Sequence, residues 1–266
     1  MKLLEVAYWA EFYDKGFFGF GEVGDFKSFS FWHFLPIIIL ITGIILTYVF
    51  RDKIRSSKHE KTYRLILGIA MMLAEMGYFW RLLYAGPGSS ENHSLLTKLP
   101  FQICEWTCIF AMIMVFTENE HFFDIDVFVC LTLGIFPLLM PAVIKTTGPL
   151  YFRYYQYWLE HILPIYSVFY MMLIKGFKFN PKRIYKPIIF LTVLVIISLI
   201  LNENIKEASY LYLQGDSIGE ISKILPDSQY ARLPIFAGIV LLIFGIEILI
   251  FYLIKRHKEK KINIEG

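Results

Sequence analysis

The chain has 266 residues, 56% of them hydrophobic, 18% aromatic and 18% charged, with mean hydropathy +0.53 and a formal net charge of +3. A soluble domain carries roughly 25% charged residues, so this composition excludes an ordinary soluble fold and fits a membrane protein. Three cysteines exclude a disulfide framework, and the small positive surplus, confined to segments between apolar runs, argues against a nucleic-acid partner.

The first thirty residues, MKLLEVAYWAEFYDKGFFGFGEVGDFKSFS, contain no continuous apolar core followed by a small-residue cleavage site. Their Tyr, Trp and Phe residues suit an interfacial segment, 1–30. Seven apolar runs of spanning length then follow. They are Phe31–Phe50, Thr62–Tyr84, Leu99–Phe116, Phe122–Val143, Phe152–Gly176, Pro187–Leu201 and Leu233–Ile254. Runs three and four are separated only by ENEHF and its neighbours, which predicts a tight helical hairpin. Between runs six and seven, the stretch around Tyr210–Leu213 is expected to fold back onto the outer membrane surface. The expected fold class is therefore all-α, a polytopic bundle of seven transmembrane helices over 31–254 with a basic tail over 255–266.

Charge orients the bundle. The segment Arg51–Arg64 holds six basic residues, Lys175–Lys186 five, and the tail after Ile254 five. With seven spans all three fall on one side, which the positive-inside rule makes cytoplasmic. The N-terminus, with five acids against three lysines, is then outside, and the expected location is the cell membrane. The loop holding Glu118, Glu120, Asp124 and Asp126 falls on the basic side and runs against the trend. Asp124 and Asp126 are read as ordinary helix N-terminal acids.

The fifth run is the best lead to function. Its polar half, YFRYYQYWLEH, carries Arg153, Gln156, Glu160 and His161. Such groups are expensive in hydrocarbon and need partners from neighbouring helices. At a rise of about 1.5 Å per residue, Cys104 lies about 6 Å, Glu75 about 9 Å and His161 about 12 Å inside the outer boundary. Glu75, Gln102, Cys104, Glu105, Gln156, Glu160, His161 and His33 thus occupy the outer half, with few comparable groups in the inner half. Pro164 removes a hydrogen bond to the Glu160 carbonyl, freeing it to fix the His161 tautomer or to bind water. Pro137 and Pro141 kink the fourth run.

Cys104 near a helix N-terminus and His161 at similar depth form a candidate nucleophile and base. Glu105, Glu160 and Glu75 are alternative groups to orient the histidine. Arg153 and Arg81 are suited to a lipid phosphate, or to pairing with Glu160 and Glu75. The ordinary structural reading of all three cysteines is as buried packing groups. No metal-ligand spacing and no nucleotide motif is present, so no metal and no cofactor is expected.

LPFQIC at Leu99–Cys104, GIFPLLMP at Gly134–Pro141, GPLYFRYYQYWLEH at Gly148–His161 and SYLYL at Ser209–Leu213 resemble, in this order, the YwaF family. These are bacterial seven-helix membrane proteins related to the eukaryotic transmembrane protein 164. The resemblance covers roughly residues 30 to 255. It implies a lipid acyltransferase that moves a fatty acyl chain between phospholipids, with a cysteine and a histidine falling on Cys104 and His161. Two departures stand out: the N-terminal segment is longer, and ILPDSQYARLP lacks the Trp- and Pro-rich sequence expected before the last helix. The expected substrate is a membrane lipid. A small-molecule transporter, or the membrane component of one, and a lipid hydrolase are the alternatives.

Overall fold

The computed structural model describes residues 26–84, 99–141, 148–149, 152–205, 208–214 and 224–265, with side chains of 78–84 and 258–265 outside the description. The described elements are helical, and no strand occurs among the described residues. In chain order they are α1 (Phe31–Val49), the short α2 (Arg51–Arg55), α3 (Glu60–Tyr84), α4 (Ile103–Thr117), α5 (Glu120–Thr132), the short α6 (Phe136–Leu139), α7 (Phe152–Tyr170), α8 (Tyr185–Asn204) and α9 (Gln229–Glu265). A π-helical turn, Met171–Lys175, extends α7, and 3₁₀ turns form at Pro181–Arg183 and Tyr210–Tyr212.

Five helical stretches are long and apolar enough to cross a membrane: Phe31–Val49, Glu120–Leu139, Phe152–Lys175, Pro181–Asn204 and Gln229–His257. Ile103–Thr117 is apolar but shorter. The stretch Phe152–Lys175 is 67% buried and Glu120–Leu139 61%, against 22% for Phe31–Val49, 17% for Pro181–Asn204 and 6% for Gln229–His257. The core is therefore α3, α4, α5 and α7, and the other long helices stand around it with apolar faces outward. This inversion of the soluble pattern is what a lipid solvent requires, because lipid tails do not drive apolar side chains inward.

Small residues and packing set the close approaches. A Cβ added at Gly68 on α3 would lie 2.5 Å from the Phe116 ring of α4. Between them the core is filled by Met71, Cys108, Ala111, Met114, Val127, Phe128, Val168 and Met171.

The fourth apolar run is not one helix. It breaks over Leu133–Ile135 and resumes as α6, because Pro137 cannot continue the backbone ladder. Gly134 permits the turn: a Cβ there would meet the Cys130 carbonyl oxygen at 2.6 Å. The α4–α5 connection is shorter than expected, only Glu118–Asn119. Glu118 adopts a left-handed conformation at φ 55°, and the Asn119 side chain caps α5 by accepting from the His121 N–H at 2.8 Å. The sixth run is longer than its apolar core suggests, because polar Asn202 and Asn204 continue the helix. The basic tail continues the helix of α9 to Glu265.

The acidic α4–α5 loop meets basic partners. Arg64 pairs with Glu60 at 3.2 Å and Glu118 at 2.5 Å, and Lys175 with Glu118 at 2.8 Å. Asp124 receives Arg183 at 2.9 Å and Lys186 at 2.6 Å. Three of the acids that ran against the charge trend, Glu118, Glu120 and Asp124, are paired with the very residues that set it. Lys175 draws the Glu118 carboxyl below its ordinary range of about 4.5, with Arg64 adding to the effect.

Candidate functional site

The cluster is built from three helices in register. Cys108 Sγ on α4 donates to the Met71 carbonyl of α3 at 3.8 Å. The helices run antiparallel, so one turn back along α4 and one turn forward along α3 set Cys104 level with Glu75. Gln156 on α7 donates to the Ala74 carbonyl at 3.1 Å and so fixes α7 beside the same level. Glu75, Glu105 and Glu160 all interact electrostatically with the Cys104 thiol. Cys104 is half-buried, whereas Cys108 and Cys130 are fully buried.

Arg153, Gln156 and Glu160 lie along one face of α7, as their 3–4 spacing requires. Arg153 Nη1 donates to Gln156 Oε1 and lies 3.6 Å from Glu160 Oε2. Gln156 Nε2 also donates to Glu160 Oε2 at 2.6 Å. Arg153 is 11% exposed and Glu160 4%, so this is a buried ion pair mediated by an amide. The guanidinium also lies 5.7 Å from the Tyr157 ring centroid. Arg153 is thus engaged by Glu160, the alternative to holding a phosphate. The side chain of Arg81 lies outside the described residues.

His161 Nδ1 donates to the Tyr157 carbonyl at 2.6 Å. A carbonyl only accepts, so this bond places the hydrogen on Nδ1 and leaves the Nε2 lone pair for a proton. The orienting group is thus neither a carboxylate nor the Glu160 carbonyl freed by Pro164. It is the ordinary i−4 carbonyl of the same helix, within easiest reach of a helical side chain. Glu160 interacts with His161 electrostatically. The Tyr157 ring packs on the imidazole with centroids 4.3 Å apart, and Tyr157 also interacts electrostatically with Cys104. Tyr157 thus packs on one candidate catalytic residue and lies within electrostatic range of the other. Among the described residues no hydrogen bond joins Cys104 to His161.

Glu105 reaches back to accept from the Gln102 N–H at 2.9 Å, one half of a capping box at the start of α4. The Gln102 side chain faces the segment that follows α8. Its Oε1 accepts from Leu211 N–H at 3.0 Å, and its Nε2 donates to the Ser209 carbonyl at 3.3 Å. Asn202 clasps Tyr210 through Tyr210 N–H at 2.7 Å and its carbonyl at 3.1 Å, and the Leu99 N–H donates to the Tyr210 hydroxyl at 2.9 Å. The SYLYL stretch folds back onto the helices. Leu211 and Tyr212 take left-handed φ values of 56° so that Tyr210, Leu211 and Leu213 are buried, against α4 and α8. Two sequence motifs 107 or more positions apart thereby close one roof over the α4 N-terminus.

Glu75 differs from its neighbours. It is 5% exposed, and neither carboxyl oxygen has a hydrogen-bond partner among the described residues. His33, at the outer end of α1, is structural: it accepts from Phe29 N–H at 2.9 Å through Nδ1 and donates to the Leu138 carbonyl at 2.7 Å through Nε2.

Polar burial is not confined to this cluster. Asp126, expected as a helix N-terminal acid, is fully buried with both oxygens unpartnered. Glu247 on α9 accepts from Thr132 at 2.7 Å, and its other oxygen is buried without a partner. A lone acid in the most apolar run was a legible signal for Glu247. Tyr157 was signalled by its position four residues from both Arg153 and His161. No cluster of three His, Cys, Asp or Glu side chains suited to a metal occurs among the described residues.

Apolar helices of spanning length around a buried polar cluster define a polytopic helical membrane protein. The TMEM164 family model matches residues 28–259, and the chain belongs to that family. No curated protein and no solved structure matches it.

Proposed function

We propose that the chain is a lipid-modifying enzyme of the cell membrane that performs thiol-dependent acyl transfer on phospholipids, with Cys104 as nucleophile and His161 as base. The observation that carries this reading is the contrast among the cysteines. Cys104 alone is half-buried, beside the carboxyl cluster and Tyr157, while His161 has its Nδ1 fixed and its Nε2 lone pair available.

The chemistry balances without a cofactor. Cys104 Sγ attacks the carbonyl carbon of a donor ester while its proton passes to His161 Nε2. The tetrahedral adduct collapses to a thioester, the ester C–O bond breaks, and the departing alkoxide takes the proton from His161. An acceptor hydroxyl then attacks the thioester and gives its proton to His161. The C–S bond breaks, and the thiolate recovers that proton. Water in place of the acceptor gives hydrolysis.

The architecture we infer has an interfacial segment over 1–30, seven spans over 31–254 and a cytoplasmic tail over 255–266, with the N-terminus outside. Support comes from the neutralisation of Glu118 and Asp124 by basic residues at one end of the bundle. Arg153 acts by holding Glu160 rather than a phosphate.

The test is intact mass and activity after incubation with a diacyl phospholipid. Cys104→Ser and His161→Ala are expected to abolish acyl-adduct formation and transfer in a folded protein, while Cys108→Ser retains both. Equal, mild effects of the two cysteine changes would show both to be packing groups and refute the reading.

A transporter is the second reading, favoured by the buried acids Asp126 and Glu247, since buried acids also mark substrate pathways. Substrate flux into vesicles without acyl adduct at Cys104 would favour it.

A further inference from the structure

Glu75 is the unexplained group of the site. The other polar side chains around it are satisfied within the chain: Glu105 by the Gln102 N–H, Glu160 by Gln156 and Arg153, and Gln156 by the Ala74 carbonyl. Glu75 is 5% exposed, and both oxygens are buried without a donor among the described residues. An unpaired buried polar group costs about 1–3 kcal/mol, and more when it can carry charge. A side chain kept in that condition beside half-buried Cys104 has acceptor positions open to something the described residues do not supply.

We infer that Glu75 is the binding group for the hydroxyl of the lipid acyl acceptor. This rests on the acyl-transfer reading and adds to it a residue that recognises the second substrate. Two observations select the ligand chemistry. Glu75 stands with Glu105 and Glu160, three carboxyl groups against the single guanidinium of Arg153, which Glu160 already engages. The guanidinium is already taken, so a phosphate or free carboxylate finds no available cation there among the described residues. Glu75 also stands level with Cys104 through the Met71–Cys108 contact. The group it receives is thus at the reacting centre, not at the headgroup, and at that centre the acceptor presents a neutral O–H. Glu75 accepts that hydrogen bond while the acceptor docks and so sets the oxygen beside the thioester carbon on Cys104; on attack the O–H turns from Glu75 to His161 Nε2, which takes the proton. An acceptor without the hydroxyl leaves the carboxyl unpaired.

The test compares two probes on the full-length protein in detergent. One is a monoacyl glycerophospholipid with a free glycerol hydroxyl. The other is the same lipid with that hydroxyl O-methylated. The wild type is expected to bind the hydroxyl lipid about tenfold or more tightly, the effect of one hydrogen bond to an otherwise unpaired group, and to show the larger rise in melting temperature. In Glu75→Met, and in Glu75→Leu as a second variant, the two lipids are expected to stabilise equally, and the unliganded protein to melt higher than wild type. Equal stabilisation by the two lipids in the wild type overturns the assignment and needs no variant to fold. Persistence of the preference in Glu75→Met overturns it too. Intact mass at Cys104 separates the two claims. An acyl adduct without hydroxyl preference removes Glu75 alone. Hydroxyl preference that is lost in Glu75→Met, without any adduct, removes acyl transfer and leaves Glu75 as a lipid-hydroxyl site.

Discussion

Truncating Arg153 to methionine leaves Glu160 as a 4%-exposed acid whose remaining protein donor is Gln156, with Glu75 and Glu105 close enough to repel it. Removing one partner of a buried ion pair costs about 3–5 kcal/mol, whereas replacing both by apolar groups of similar volume is often neutral. Arg153→Met is therefore expected to destabilise by about 3 kcal/mol or more, towards the low end of that range because 11% of Arg153 remains exposed. Glu160→Met is expected to destabilise as well, since the buried guanidinium then loses its carboxylate partner. The double variant is expected within about 1 kcal/mol of wild type, so the cycle closes with a coupling of several kcal/mol. The assay is equilibrium unfolding of the four proteins in mixed micelles, followed by tryptophan fluorescence. Additive losses, with the double variant as unstable as the two singles combined, would show that the pair is not a closed unit. The reasoning that Arg153 serves Glu160 would then fail.

Gln102→Ala removes two side-chain bonds to the Ser209–Leu211 backbone, about 1 kcal/mol each. It should speed proteolysis within 208–214 while leaving the bundle intact, as read by limited digestion and mass mapping. Gly134→Ala brings a Cβ to within 2.6 Å of a backbone oxygen that cannot move aside, so it should lower the melting temperature more than Gly68→Ala, whose clash is with the half-exposed Phe116 ring. The depressed Glu118 carboxyl contributes stability that is present above about pH 4.5 and is lost as pH falls further. Acid titration of the melting temperature should show that loss, small because Glu118 is 38% exposed, and Glu118→Gln should remove it. Cysteines placed at Lys58 or Lys182 in intact cells should resist an impermeant thiol reagent, and one at Asp227 should react. Labelling at Lys58 would reverse the orientation.

The helical class, the polar face of α7 and the common level of Cys104 and Glu75 were legible in the sequence, because apolar run length, the helical period and the 1.5 Å rise fix them with no tertiary information. What composition could not show was partnership. Arg153 has a phosphate or a carboxylate as equally good partners until α7 places Glu160 beside it. Asp126 and Asp124 are two residues apart and alike in type, yet one meets Arg183 and Lys186 while the other is sealed in the core. The helix turns by about 200° over two residues, and which face meets the bundle is a tertiary fact. The break at Leu133–Ile135 was half legible, since the prolines were visible but the glycine's proximity to Cys130 was not.

The π turn at Met171–Lys175 gives the α7 end one residue more than an α-helix would hold. The Leu173 carbonyl there accepts from Arg55 Nε at 2.9 Å, and Lys175 reaches Glu118. A one-residue deletion in this turn is thus a phase shift. It would restore an uninterrupted α-helix and swing Lys175 by about 100°, unlatching α2 and the α4–α5 loop while leaving the Cys104 end in place. The turn is thus where the chain can change how α7 couples to α2 and the α4–α5 loop without moving the Arg153–Glu160 pair at the helix's other end.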